Sequence, residues 1–275
     1  MISLALDDHH AIVTLCRPPV NAINEEWLTA LDEAISQIES HSEIGVVWIR
    51  SSERLFSAGA DLGLMRDRFS TEAGRDLMIS FVRRIQRVYA RLEALGAVSI
   101  AEINGAAMGG GLELALACDL RVIAEEAKVG LPEARLGLLP GAGGTQRLTR
   151  RCGDPVARRL ILGAEIIDGL TAAELGLADW SVPGTGIESF TRSLVERIAN
   201  LPTHALAACK TCIDSAHESS DRGFERELAG TLNLLASEKT QYLVSRFLDR
   251  DKSETKEADE PRIGMSARKS VAQTT

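Results

Sequence analysis

The chain has 275 residues, 45% of them hydrophobic and 25% charged, with a formal net charge of −8. These values describe a globular protein with a sizeable core, and the acidic balance argues against a general nucleic-acid coat protein. No apolar run reaches the length of a membrane span, and five scattered cysteines do not make a disulfide framework.

In chain order, residues 2–6 and 11–15 predict two strands around the turn Asp7-Asp8-His9-His10. The opening segment lacks the basic and apolar parts of an export signal, so a cytoplasmic location is expected. Asn24 predicts the cap of a helix whose apolar residues Trp27, Leu28, Leu31, Ile35 and Ile38 recur at helical spacing. Buried strands are predicted at 44–50, 98–103 and 119–124, with helices at 71–94 and 110–118 between them. That alternation implies an α/β layered core. From Pro202 the pattern becomes wholly helical, over 203–217, 222–236 and 238–248. The expected division is a core over 1–200, a helical region over 201–250 and a mobile polar tail over 251–275. Cys209 and Cys212 have C-x-x-C spacing but no second pair, and read as two small core residues rather than a metal or redox site.

Two glutamates carry the chemical signal. Glu113 lies in Gly109-Gly110-Gly111-Leu112-Glu113-Leu114, and Glu133 in Gly130-Leu131-Pro132-Glu133-Ala134. Each sits just inside a predicted helix start among apolar or glycine residues. Buried carboxylates are costly unless paired or used, and two of them suit general acid–base chemistry. A first-turn position is expected to favour the charged form of Glu113, as in a base. Leu131, Ala134, Leu136, Leu138 and Leu139 are expected to desolvate Glu133 and raise its pKa, as in an acid. Either glutamate alone reads equally well as a helix cap.

Small residues in Phe56-Ser57-Ala58-Gly59-Ala60-Asp61 and Gly109-Gly110-Gly111 let backbone approach a ligand closely. Two N–H groups from these segments converging on one oxygen would form an oxyanion hole; tight packing turns are the plainer reading of either alone. Gly141-Ala142-Gly143-Gly144 lacks the spacing of a dinucleotide loop. Arg83, Arg84, Arg87 and Arg91 share one predicted helix and read as a solvated face, in preference to an RNA contact.

The segments Ser57–Asp61, Asn104–Ala115 and Pro132–Glu133 through Pro140–Leu148, with Arg17-Pro18-Pro19-Val20-Asn21-Ala22, resemble the enoyl-CoA hydratase/isomerase (crotonase) family over residues 2–250. The resemblance implies an α/β fold: a spiral of ββα units with a C-terminal helical region, assembled as homotrimers or homohexamers. It implies acyl-CoA thioester substrates, coenzyme A being part of the substrate, and no metal or other cofactor. It implies oxyanion-hole amides at Ala58 and Gly110 and catalytic carboxylates at Glu113 and Glu133. Ala22, Ala60, Asp61 and Leu62 follow as further substrate- or CoA-binding positions. Many relatives with other reactions lack one glutamate, so keeping both favours hydration of a 2,3-double bond over isomerisation or thioester hydrolysis. A branched or carboxylated, glutaconyl-type substrate is a second reading, and a non-catalytic or RNA-interacting scaffold a third. The 62–82 stretch is expected to be mobile and to line part of the acyl pocket. Tyr242-Leu243 stand where the family often has Glu-Gly, which puts in doubt contacts from this region to the nucleotide end of CoA.

Overall fold

The computed structural model describes residues 1–215 and, beyond them, the single helical positions Ala229, Asn233, Glu238, Thr240 and Tyr242. The chain divides into two compact units, Met1–Thr211 and Cys212–Thr275. Apart from those single positions, the helices expected over 222–236 and 238–248 and the tail over 251–275 lie outside the described residues.

The elements run β1 (Ile2–Leu6), β2 (His10–Leu15), α1 (Glu25–Glu39), β3 (Val46–Ser51), α2 (Leu62–Phe69), α3 (Glu72–Glu93), β4 (Val98–Ile103), β5 (Ala107–Met108), α4 (Gly110–Leu116), β6 (Leu120–Ala124) and β7 (Lys128–Gly130). A 3₁₀ turn (Pro132–Leu136) follows, then α5 (Gly144–Leu162), β8 (Ile166–Asp168), α6 (Gly169–Glu174), β9 (Trp180–Val182), α7 (Ile187–Ala199) and α8 (Thr203–Asp214). One sheet has the order β1-β2-β3-β4-β6-β9 and a smaller one β5-β7-β8. The larger sheet is parallel after the β1–β2 hairpin. Strands β4–β5 and β6–β7 step from the larger sheet to the smaller before the chain turns into α4 and α5. This is the spiral of ββα units that the resemblance implies.

Local chemistry explains the elements. The Asn24 side chain accepts from Trp27 N at 2.9 Å and starts α1, whose residues Trp27, Leu28, Leu31, Ile35 and Ile38 are all buried. Val46 to Ile49 in β3 are buried without alternation, as in a parallel strand covered on both faces. The 62–82 stretch falls in two helices: Asp61 caps α2, and Thr71 caps α3.

Two expectations are corrected. Cys209 is exposed and Cys212 only partly covered, because the side chain turning inward from α8 is Lys210. Its Nζ donates to Asp119 Oδ2 at 2.8 Å and to Ala97 O. The arginines of α3 do not form one solvated stripe. Arg84 pairs with Glu25, and Arg91 with Asp32 and Glu39, so both stitch α3 to α1 while Arg83 and Arg87 remain exposed. Among the described residues no helix is long and apolar enough to cross a membrane, and no His, Cys, Asp and Glu cluster could hold a metal ion.

Arg121 fixes the far end of α4. It is 1% exposed and donates to the carbonyls of Ala115, Cys118, Asp119 and Leu177 while pairing with Asp179. Glu102 on β4 is 2% exposed, and its Oε2 has no hydrogen-bond partner among the described residues. Burial pushes its pKa up, against the opposing charge of Arg50. A carboxyl raised in the folded state favours folding while protonated and loses that contribution as pH rises through its folded pKa. Glu102→Gln is therefore expected to raise stability above neutral pH, because it removes the cost of ionising a buried carboxyl. Near pH 4, where Glu102 is protonated, the gain should vanish; thermal unfolding at both pH values checks this.

Candidate active site

The site forms where three backbone segments meet. The 57–60 segment is bridged in parallel on both sides, through Ile23↔Ala60 and Ser57↔Ala107. Ser57 is the staple. Its N–H donates to Ala106 O, its carbonyl accepts from Met108 N, and its hydroxyl donates to Asn21 O. Gly59, at φ +87°, lies so close to the next segment that a Cβ there would meet Met108 O at 2.6 Å and Gly110 N at 3.1 Å. Only glycine combines that φ with that approach.

This geometry corrects one member of the expected oxyanion hole. Ala58 N donates to Val20 O at 2.9 Å, so its amide is already used. In the parallel bridge the flanking groups bond to the neighbouring strand, Ile23 N to Gly59 O and Asp61 N to Ile23 O. The N–H of Ala60, midway between them, points the other way. Among the described residues it has no protein acceptor, and neither does Gly110 N, one of the unsatisfied donors at the start of α4. A Cβ on Gly110 would lie 3.6 Å from Ala60 N, so the two free amides are neighbours. The pair available to one oxygen is Ala60 and Gly110. The expected partner of Gly110, Ala58, stands two residues from Ala60, one full period of an extended chain.

Tyr89 and Arg121 hold α4 from its two ends. Tyr89, wholly buried on α3, donates its hydroxyl to Gly110 O at 3.0 Å. Burial holds its pKa well above the ordinary phenol value, so it keeps the proton it donates. One turn into α4, Glu113 is 2% exposed, and its Oε1 accepts from Ala142 N at 2.8 Å and Gly144 N at 2.7 Å. Burial nevertheless pushes its pKa up to about 7, against the Gly144 and Ala142 amides and reinforced by the nearby Glu133 carboxylate. The expectation that the helix start would keep Glu113 readily ionised is therefore overturned, because desolvation outweighs the favourable dipoles.

Glu133 stands in the first turn of the 3₁₀ helix, after Pro132. Its Oε2 is buried with no partner among the described residues, and burial raises its pKa. Of the neighbours expected to desolvate it, Leu131 is buried, but Ala134, Leu136 and Leu139 face solvent. Leu138, beyond the 3₁₀ turn, is half-buried. Its other oxygen packs against Gly109, where a Cβ would sit 2.8 Å from Oε1 at a residue with φ +50°. The glycine triplet thus separates the two carboxylates, Glu133 against its first member and Glu113 two residues beyond its last.

The remaining candidates are structural as much as ligand-facing. The Asp61 carboxylate caps α2 through Gly63 N and Leu64 N and pairs with Arg17 at 3.0 Å. Burial works against its ionisation, but the Leu64 amide, Arg17 and the Gly63 amide together hold its pKa below the ordinary value. Ala22 offers its carbonyl to the same Arg17, and Leu62 is 57% exposed at the start of α2. The Ala142 and Gly144 amides were missed as functional groups. Their signal was the Gly141–Gly144 run, which read only as a rejected dinucleotide loop.

Comparison with known proteins agrees with this architecture. A family description, enoyl-CoA hydratase/isomerase, matches residues 8–257. The chain is 33% identical over 249 residues to the short-chain-enoyl-CoA hydratase of Clostridium acetobutylicum, covering 89% of this chain and 93% of that one. It is 34% identical to the 2,3-dehydroadipyl-CoA hydratase of Escherichia coli, with 87% and 92% covered. A crystal structure of an enoyl-CoA hydratase from Geobacillus kaustophilus superposes with a TM-score of 0.86 at 31% identity, over 90% of this chain and 94% of that one. The matched span takes in the free amides, both glutamates and the spiral that joins them, and the chain belongs to the enoyl-CoA hydratase/isomerase family.

Proposed function

We propose that the protein is an enoyl-CoA hydratase that adds water across the 2,3-double bond of an acyl-CoA thioester. The observation that carries this is a pair of glutamates whose pKa values burial raises, beside two unclaimed backbone amides. The thioester carbonyl would accept from Ala60 N and Gly110 N, drawing electron density from C3 and holding the enolate charge that develops. Glu113, with Oε1 engaged by two amides, keeps Oε2 to take a proton from water as its oxygen bonds to C3. Glu133 gives its proton to C2, a role suited to a carboxyl whose pKa burial raises. The product carries hydroxyl at C3 and hydrogen at C2. The proton gained by Glu113 and lost by Glu133 is then exchanged with solvent. The thioester itself makes C3 electrophilic, so the reaction calls for no metal or redox cofactor.

The expected result is hydration of crotonyl-CoA, read as loss of the conjugated enoyl-thioester absorbance. A panel with branched and carboxylated enoyl-CoAs sets the acyl class, and likeness to a 2,3-dehydroadipyl-CoA hydratase gives carboxylated members a place in it. No turnover of any member would sink the reading and leave a binding scaffold in its place. The same reading includes a cytoplasmic trimer or hexamer, which light scattering tests at assay concentration.

A further inference from the structure

We propose that Arg147 is a positioning residue for Glu113, anchored by Glu93 and acting through the Gly141–Gly144 turn. This rests on Glu113 being the base of the hydratase reading. Arg147 on α5 is only 10% exposed along its side chain. Its Nε and Nη2 donate to Glu93 Oε2 on α3 at 3.0 and 2.7 Å, while Nη1 donates to Ala142 O at 3.0 Å. The amide of that same Ala142 holds Glu113 Oε1. One guanidinium therefore spans from α3 to the residue that clamps the carboxylate. A fork of three donors is needed for this, and a lysine ammonium cannot reproduce its planar reach.

Two further observations place the turn under the control of α3 and Arg147. Gln86 Nε2, also on α3, donates to Gly141 O at 2.7 Å. At Gly143, with φ +109°, any Cβ would collide with Arg147 Nη1, so the turn is shaped around the guanidinium. Arg147 is not needed to hold α5 to the core as a bare strut, since Leu148 and Leu160 on the same helix are fully buried. The charged and titratable groups facing Glu113 are Glu133 from the 3₁₀ turn, Arg147 from α5 and Tyr89 from α3.

Arg147→Lys keeps the charge and loses the fork, so a change in Glu113 reports geometry. The experiment reads kcat and KM for crotonyl-CoA, and independently the Glu113 carboxyl titration by infrared difference against Glu113→Gln. The expected result is a fall in kcat of about 10²-fold, as for a catalytic group displaced by roughly an ångström. KM should stay near the parent value, and the Glu113 titration should move to higher pH as its amide donors loosen. An unchanged kcat and titration with a lowered Tm would overturn the proposal and leave a structural ion pair. If Arg147→Lys does not fold, Glu93→Ala frees the same guanidinium; an unchanged titration there overturns the proposal equally. A parent protein that hydrates no enoyl-CoA, but whose Glu113 titration still moves in Arg147→Lys, would sink the hydratase reading and keep the positioning role.

Discussion

Glu113→Gln is expected to lower kcat by roughly 10²–10⁴-fold, the range for loss of a general base, while making the protein more stable above neutral pH. The two effects share one cause. Burial raises the Glu113 pKa from 4.5 to about 7. A group raised in this way supports folding below its unfolded pKa and opposes it progressively as pH climbs through the folded value. By pH 8 the ionised carboxylate costs on the order of 3 kcal/mol, which the neutral amide avoids while its oxygen still accepts from Ala142 and Gly144. The same titration should appear in the parent enzyme as kcat/KM rising with pH through about 7. Glu133→Gln should lose turnover to a similar degree, and the double variant should fall far short of the product of the two losses, as for groups serving one transition state. Kinetics and thermal melts at pH 5 and pH 8 check all of this. Near-normal turnover in either single variant would remove that glutamate from the chemistry.

Replacing single backbone amides by esters is expected to separate Ala60 from Ala58. An ester at residue 60, made by incorporating lactic acid in place of alanine, deletes the N–H and keeps the methyl group. Loss of one oxyanion donor costs about 2.7–4 kcal/mol of transition-state stabilisation, or roughly 10²–10³-fold in kcat. Little stability should be lost, because Ala60 N serves no protein acceptor among the described residues. The ester at residue 58 should do the reverse. It breaks the bond to Val20 O and should cost about 1 kcal/mol of stability with a small effect on kcat. If the ester at 58 abolished turnover and the one at 60 did not, the oxyanion hole would return to Ala58.

Much of the fold was legible because local rules and packing agreed. The α1 stripe, its Asn24 cap and the unbroken apolar run of β3 each report burial that one segment can reveal. The two glutamates were legible because a carboxylate in an apolar stretch is itself anomalous. What could not be read depends on where distant backbone goes. Choosing between Ala58 and Ala60 requires knowing that Ile23 and Val20 lie beside them, more than thirty residues back in sequence. The Glu113 pKa turns on the depth of burial, which a helix-start argument does not contain. Arg147 looked like any arginine on an amphipathic helix, because its partners Glu93 and Ala142 come from separate elements.

The paired bridges around residues 57–60 bear on how such a site drifts over time. The two free amides are set apart by main-chain ladders, Ile23↔Ala60 on one side and Ser57↔Ala107 on the other. Side chains that point away from those ladders can be exchanged without altering the spacing of the amides. Leu62, Leu77 and Ile79, all more than half exposed, lie outside those ladders. Substitution at such positions therefore leaves the relative placing of the two amides unchanged.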